Sequence, residues 1–350
     1  MVSRHLDDDI TLSNVPQERR VHQLALYASH LASGDTLACR AIKADTIASY
    51  LRQISKFLYR YCRRDCRKIN EADKTLAPPI QHILDELRRW EKVPHKREPH
   101  TAQMQQFLQK VPLSARRPPD TVCTHFFALG LRLGLRLTEW ANPDSHPHPN
   151  AALLDEKLVP KAITLADIEF RATGNKRLPL AEAIRLPANT IERAYVIFSW
   201  QKNMCHGEQR ILLATPDHPN QCPIRHLLAI VHHFVKLRGL QDTRTPLSIY
   251  QAPNGQLYNV TARDINALLR KAAAATYAIQ DAKLLQSWSS HSIRVGACLI
   301  LYSNGFTAQQ IQFLLRWRSD SWMEYLRNTA LVAQKQEDAV AYTGVVPNII

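Results

Sequence analysis

The chain has 350 residues, and its 45 Lys and Arg outnumber its 31 Asp and Glu, which gives a net charge of +14 at pH 7. Hydrophobic residues make up 45% of the sequence and only 10 residues are Gly, so disordered and collagen-like chains are excluded. Seven Cys without paired spacing exclude a scaffold built on disulfides.

The same features predict a compartment and a partner. The N-terminus lacks the basic-then-apolar order of a signal peptide, and no apolar run reaches the roughly 18 residues of a membrane-spanning helix. We therefore expect an intracellular protein with no membrane partner, in the cytoplasm or nucleoid of a bacterium or in the nucleus of a eukaryote. A strongly basic protein of this kind most often binds a polyanion, and nucleic acid is the leading candidate.

The length favours two domains, and a basic stretch with two prolines, residues 93–100, predicts an extended linker between them. The expected domains are a helical one over residues 1–97 and a mixed one over residues 98–350. In the first, apolar residues at helical spacing predict an amphipathic helix over residues 46–68. Along another face of that helix runs a row of cations that could follow a phosphate backbone: Arg52, Lys56, Arg60, Arg63 and Arg67.

The second domain combines helical and strand-like patterns. Helices are predicted over residues 101–110, 123–140, 223–238 and 262–277, and strands over residues 163–170, 195–201 and 209–214. The last two strands flank a polar turn with Gly207 and predict a β-hairpin. Three short helices are expected after Ser290. The predicted fold class is therefore mainly α with a small antiparallel β-sheet, an α+β fold.

Four segments of the second domain carry side chains suited to chemistry on a phosphate. The first has an Arg near the end of an apolar helix with a Glu one turn on, and the second has a Lys at the turn of the hairpin. The third has a His and an Arg in the first turn of a helix, and the fourth has a Trp followed by a Tyr. In chain order these residues are Arg136 and Glu139, Lys202, His291 and Arg294, and Trp317 and Tyr325.

This order of residues resembles the tyrosine recombinases, the family of the phage integrases and the Cre-like recombinases. His291-Ser292-Ile293-Arg294 is similar to the family's His-x-x-Arg box, and Tyr325 matches its nucleophile. The stretch from Trp317 to Trp322 resembles most the recombinases of DIRS- and Crypton-like mobile elements. The resemblance implies a helical core-binding domain and a catalytic domain that form a C-shaped clamp on double-stranded DNA. It also implies a homo-oligomer on DNA, a tetramer in which four protein subunits bind two paired DNA sites.

The residues suit strand cleavage on physical grounds as well. Attack on a phosphodiester spreads negative charge over the non-bridging oxygens, and the Arg136 and Arg294 guanidiniums can each present a fork to them. His291 and the Trp317 indole add donors. Tyr325 would attack phosphorus with His291 as base, Lys202 would protonate the departing 5′ hydroxyl, and Glu139 would orient Arg136 or His291. The product is a 3′-phosphotyrosine, and no metal ion or cofactor is expected.

Several alternatives remain open from the sequence. Lys176 is a second candidate for the lysine, and Tyr342 is a second candidate for the nucleophile. Tyr325 follows Trp317 by eight residues, whereas nine is the commoner spacing in the family. That difference leaves room for a catalytically inactive descendant that only binds DNA. A type IB topoisomerase or a telomere resolvase would use the same set of residues on a single DNA site.

Overall fold

The structure is a computed structural model, and it describes residues 12, 14–33, 42–91, 97–141, 161–201, 206–317 and 322–326. Lys202, Tyr342 and residues 93–96 of the predicted linker lie outside these residues. The chain divides into two compact units, residues 1–94 and residues 95–350. Among the described helices, none combines the length and the apolar character that crossing a bilayer requires.

The first unit is a group of helices around one apolar core. Its helices are α1 (Gln17–Ser33), α2 (Ala44–Cys62) and α3 (Pro78–Trp90). Each contributes residues three or four positions apart, which places them on one face of the helix. The core contains Val21, Leu24, Leu31, Ile47, Leu51, Leu58, Ile80 and Leu84. This packing fixes which face of α2 is left for solvent.

Helix α2 ends at Cys62, six residues before its predicted end at residue 68. Arg63 takes a left-handed conformation with φ 52°, and the chain then folds back along the helix. The Asp65 carboxylate fixes this return because it accepts hydrogen bonds from the Ser55 hydroxyl at 2.5 Å and from the Arg67 guanidinium at 2.7 Å. Arg67 therefore lies beyond the helix, paired with Asp65, whereas Arg52, Lys56, Arg60 and Arg63 are exposed.

The second unit contains a four-stranded antiparallel sheet. Its strands are β1 (Ile168–Ala172), β2 (Arg177–Leu178), β3 (Ile191–Phe198) and β4 (Glu208–Leu213), in the order β2-β1-β3-β4. The predicted hairpin is confirmed: β3 pairs with β4, and Phe198 lies opposite Glu208. The predicted strand over residues 163–170 starts only at Ile168, because a 3-10 turn capped by the Thr164–Asp167 pair occupies its first half.

The second unit also contains helices and a second small hairpin. In chain order the remaining elements are α4 (Ala102–Lys110), α5 (Pro118–Leu133), α6 (Leu180–Ala183), α7 (Pro223–Arg238), β5 (Ile249–Gln251), β6 (Leu257–Asn259), α8 (Ala262–Tyr277), α9 (Ala282–Leu285), α10 (Ser292–Ser303), α11 (Ala308–Leu315) and α12 (Met323–Leu326). The predicted fold class, mainly α with a small antiparallel sheet, is confirmed.

Helix α5 ends at Leu133, so the predicted helix over residues 123–140 is too long at its C-terminus. Gly134 adopts φ 56° and ψ 45°, a left-handed conformation that ends helices and that Gly adopts without steric cost. The chain then runs extended through Arg136 into a 3-10 turn, Leu137–Glu139. Arg136 is thus held after the helix and not within it.

The beginning of the second unit is bound to the region around α10. The His100 backbone N–H donates to the Ser292 carbonyl at 2.9 Å, and the Glu98 N–H donates to the Ser287 carbonyl at 3.1 Å. The Trp288 indole N–H donates to the Pro99 carbonyl at 3.1 Å. Residues 97–100 therefore lie along the chain that leads into α10.

Gly296 allows this close approach. A Cβ atom at this position would lie 2.0 Å from the His100 carbonyl oxygen, a distance that real Cβ atoms do not show. Gly130 plays a similar part on α5, because a Cβ there would lie 2.4 Å from Ile293 Cγ2. These two glycines determine how deeply α10 packs between α5 and residues 97–100.

We expect the substitution Gly296→Ala to lower the free energy of unfolding by about 3 kcal/mol, because the backbone of residue 100 must move away from α10. Denaturant unfolding of the second unit measures this change. Gly305→Ala is the control: the added methyl meets open space and only the left-handed backbone, φ 79°, opposes it, at about 1 kcal/mol. Equal losses of unfolding free energy in the two variants would contradict the proposed steric clash with residue 100.

Candidate active site

One buried carboxylate, that of Glu139, lies at the centre of the predicted residues. Its side chain is 1% exposed. Oε1 accepts a hydrogen bond from Arg136 Nη1 at 2.7 Å, and Oε2 accepts from the Arg136 backbone N–H at 2.8 Å. Oε2 also accepts from Arg316 Nη2 at 2.6 Å. A buried carboxylate needs such compensation, and here two guanidiniums supply it.

Arg316 is the residue of this cluster that the sequence analysis missed. It follows α11 directly, its side chain is 0% exposed, and its Nη1 donates to the Leu133 carbonyl at the end of α5 at 2.7 Å. Its Cζ lies 3.6 Å from the centre of the Phe198 ring on β3. Its own carbonyl accepts a hydrogen bond from Arg136 Nη2 at 3.1 Å. The one available signal was its position between apolar neighbours, Leu315 and Trp317.

Arg294 approaches the cluster from the first turn of α10. The residue is 6% exposed, its Nη1 donates to the Gly134 carbonyl, and its Cζ lies 4.8 Å from the centre of the Trp317 ring. Burial is the main reason why the pKa of Arg294 is lowered to about 9, and the Arg136 guanidinium adds to this effect, whereas Glu139 opposes it. The side chain is still protonated at neutral pH.

The site therefore holds an excess of positive charge. Arg136 and Arg316 are paired with the Glu139 carboxylate and Arg294 lies within its electrostatic influence, which leaves a surplus of two positive charges among these four side chains. Burying such a surplus is unfavourable unless an anion balances it. The Arg136 side chain is 20% exposed, so this guanidinium is also the one that reaches solvent. The arrangement is suited to binding an anion with two negative charges.

Three aromatic side chains lie together at the edge of this cluster. The centre of the Tyr325 ring lies 5.0 Å from that of His291 and 5.2 Å from that of Trp317. Tyr325 is half-buried on α12, and it also contributes to the electrostatic environment of Arg294. The structure thus brings Tyr325, His291 and Trp317 next to the cation cluster. Residues 318–321, between Trp317 and Trp322, lie outside the described part.

His291 is neutral at physiological pH. Desolvation of the ring against its neighbours, followed by repulsion from the guanidiniums of Arg294 and Arg97, lowers the pKa of His291 to about 4. The residue itself retains contact with solvent. A neutral imidazole beside a phenol can accept its proton, and a nearby anion would raise the pKa of the imidazole.

Lys202 lies outside the described residues, but both ends of its turn are placed. Gln201 is fully buried, its backbone N–H donates to His206 Nδ1 at 3.1 Å, and its side-chain amide donates to Glu208 at 2.8 Å. Arg210 on β4 reaches α11, where it donates to the Phe313 carbonyl. The hairpin is therefore bound to α11, the helix that precedes Arg316. Lys176 is exposed beside the start of β2.

The charge surplus predicts binding of a doubly charged anion. We expect sulfate to raise the unfolding free energy of the second unit by about 1.4 kcal/mol at ten times its dissociation constant, beyond the effect of chloride at equal ionic strength. Thermal unfolding with each salt measures this difference. Arg294→Gln should abolish it, whereas Arg238→Gln, at an exposed pair with Asp242, should retain it. An unchanged sulfate effect in Arg294→Gln would contradict this prediction.

No protein-family model and no curated protein matches this sequence. Among solved structures, the Tn1549 transposon integrase in complex with transposon right end DNA shares 13% identity over 92% of this chain and 85% of that chain, with a TM-score of 0.44. The same integrase with circular intermediate DNA shares 15% identity over 91% and 84%, with a TM-score of 0.43. The XerA recombinase shares 13% identity over 97% and 90%, with a TM-score of 0.40.

Proposed function

We propose that this protein is a site-specific DNA recombinase of the tyrosine type, which cleaves and rejoins strands of duplex DNA through a 3′-phosphotyrosine. The observation that carries the proposal is the half-buried phenol of Tyr325, placed beside His291 and Trp317 at the edge of a cation cluster with two surplus charges. A phenol is a nucleophile for phosphorus, and the cluster is suited to the charge that develops there.

The cations stabilise the transition state. As the phenol oxygen approaches phosphorus, negative charge grows on the non-bridging oxygens. Arg136 and Arg294 donate to those oxygens, and the Trp317 indole N–H is a further, neutral donor. Glu139 holds Arg136 through two hydrogen bonds, so the guanidinium is oriented before DNA arrives. Orientation in advance removes part of the entropic barrier.

Proton transfers accompany the displacement. The Tyr325 hydroxyl gives its proton to the neutral His291 imidazole as the O–P bond forms, and the phosphate beside the imidazole raises the pKa of His291 from its value of about 4. The bond from phosphorus to the 5′ oxygen breaks, and Lys202 protonates that oxygen. A second 5′ hydroxyl then displaces Tyr325 and reseals the strand. The phosphotyrosine retains the bond energy, so resealing needs no ATP.

The first unit would add contacts to the DNA backbone. Arg52, Lys56 and Arg60 are exposed on α2, and Arg63 is exposed at its end. Such a row neutralises successive phosphates and gives affinity without reading bases. The clamp of both units on duplex DNA, the tetramer and the DIRS- or Crypton-like origin rest on the sequence resemblance.

A nicked duplex that traps the covalent intermediate tests the proposed chemistry. We expect wild-type protein to form an adduct that resists denaturant in the presence of EDTA, and Tyr325→Phe to form none, because the attacking oxygen is missing. Gel electrophoresis of labelled DNA measures the adduct. Tyr258→Phe is the matched control, since this tyrosine lies on the β5–β6 hairpin and contacts Gln256.

The other outcomes of this experiment would indicate a different nucleophile or a different function. An adduct in Tyr325→Phe would show that another residue, such as Tyr342, is the nucleophile. The lack of an adduct with wild-type protein would indicate a DNA-binding descendant without catalysis. Relaxation of supercoiled plasmid that lacks a cognate site would favour the type IB topoisomerase alternative.

The exposed row on α2 predicts how DNA affinity depends on salt. Replacing Arg52, Lys56 or Arg60 by Gln should reduce the slope of log K against log salt by about 1 for each lost phosphate contact. Arg67→Gln should change the slope less, because this side chain is paired with Asp65. Titrations of duplex DNA at several salt concentrations measure the slopes. Equal effects at Arg67 and at the α2 positions would contradict the assignment.

A further inference from the structure

Arg316 has a backbone conformation that its side chain does not favour. It ends α11 with φ 57° and ψ 46°, in the left-handed region where Gly is the usual residue. A residue with a Cβ atom is sterically strained there. Gly134, at the end of α5, has nearly the same dihedral angles and is a Gly. The Arg316 side chain must therefore contribute something that Gly could not.

That side chain joins three separate elements at one buried point. Its guanidinium donates to the Leu133 carbonyl at the end of α5 and to Glu139 in the 3-10 turn, and it stacks on the Phe198 ring at the end of β3. A planar guanidinium can make these contacts at once because its donors form a rigid fork. The Glu139 carboxylate is thus held by Arg316 as well as by Arg136.

The backbone of residue 316 acts on the other residues of the site. Its carbonyl accepts a hydrogen bond from Arg136 Nη2 at 3.1 Å. Trp317, the next residue, places its ring against the guanidinium of Arg294 and the ring of Tyr325. One left-handed residue therefore sets the direction of a carbonyl that holds Arg136 and of a ring that lies beside Arg294.

We infer that Arg316 is a positioning residue: it holds the Arg136 guanidinium in its orientation and preserves the positive charge that this guanidinium presents to the phosphate. This inference rests on the proposed function. Without Arg316, the Glu139 carboxylate would pair with Arg136 alone and would neutralise it. With Arg316, one carboxylate is divided between two guanidiniums, so Arg136 retains more of its positive field where the oxygens of the phosphate gather charge.

The test uses Arg316→Gly and Arg316→Met in full-length protein. Gly accepts the left-handed backbone and leaves a space of guanidinium shape, whereas Met fills that space without charge. The rate of adduct formation at saturating nicked DNA should fall about 100-fold in both variants, because a misplaced donor acts mainly on the transition state. The dissociation constant for DNA should change by less than about threefold.

Rescue separates positioning from a loss of folding. Guanidinium ion at concentrations far below denaturing should restore part of the rate in Arg316→Gly and none in Arg316→Met. Arg238→Gly, which removes an Arg paired with Asp242 far along the chain from the site, should keep the wild-type rate with and without guanidinium. Thermal unfolding curves set a temperature at which every variant is folded.

The outcomes distinguish the inference from the function on which it rests. A wild-type rate in folded Arg316→Gly would overturn the positioning role and leave the recombinase proposal intact. A fall in rate matched by an equal fall in DNA affinity would also overturn it, because Arg316 would then act in binding. The lack of an adduct in wild-type protein would overturn the proposed function and, with it, the role of Arg316.

Discussion

The arrangement of the site depends on the burial of the Glu139 carboxylate. It accepts hydrogen bonds from two guanidiniums and one backbone N–H while almost wholly removed from water. Breaking a buried pair of this kind leaves an uncompensated charge and costs several kcal/mol, so the geometry of its partners is firmly held. The end of α5, the 3-10 turn and the residue after α11 are therefore fixed relative to one another. The guanidiniums that these segments carry or bind are held in place with them.

This constraint also explains why the site carries more positive than negative charge. A single carboxylate cannot neutralise Arg136, Arg294 and Arg316 together, and burial strengthens the repulsion that remains. This unbalanced charge opposes folding of the free protein, and a bound anion would offset it. Functional sites often sacrifice stability in this way.

Much of the fold was predictable because some elements have strong local signals. Thr261 caps α8 through a capping box with Asp264, and α7 begins with Pro223. The predicted bounds of both helices agree with the observed ones. The predicted C-terminal ends of α2 and α5 were wrong. An apolar pattern continues past both ends, and only the left-handed residue there, Arg63 or Gly134, stops the helix. Arg316 was missed because its apolar neighbours are a weak signal and its burial depends on partners 177 and 183 residues away.

The hydrogen bonds of residues 97–100 have a mechanical consequence. Through Ser287, Trp288 and Ser292 they join the first residues of the second unit to the chain on both sides of His291. Gly296 keeps that junction tight, since it lets the His100 carbonyl rest directly against α10. A displacement of residues 97–100 would therefore act directly on the residues that flank His291 and on the first turn of α10.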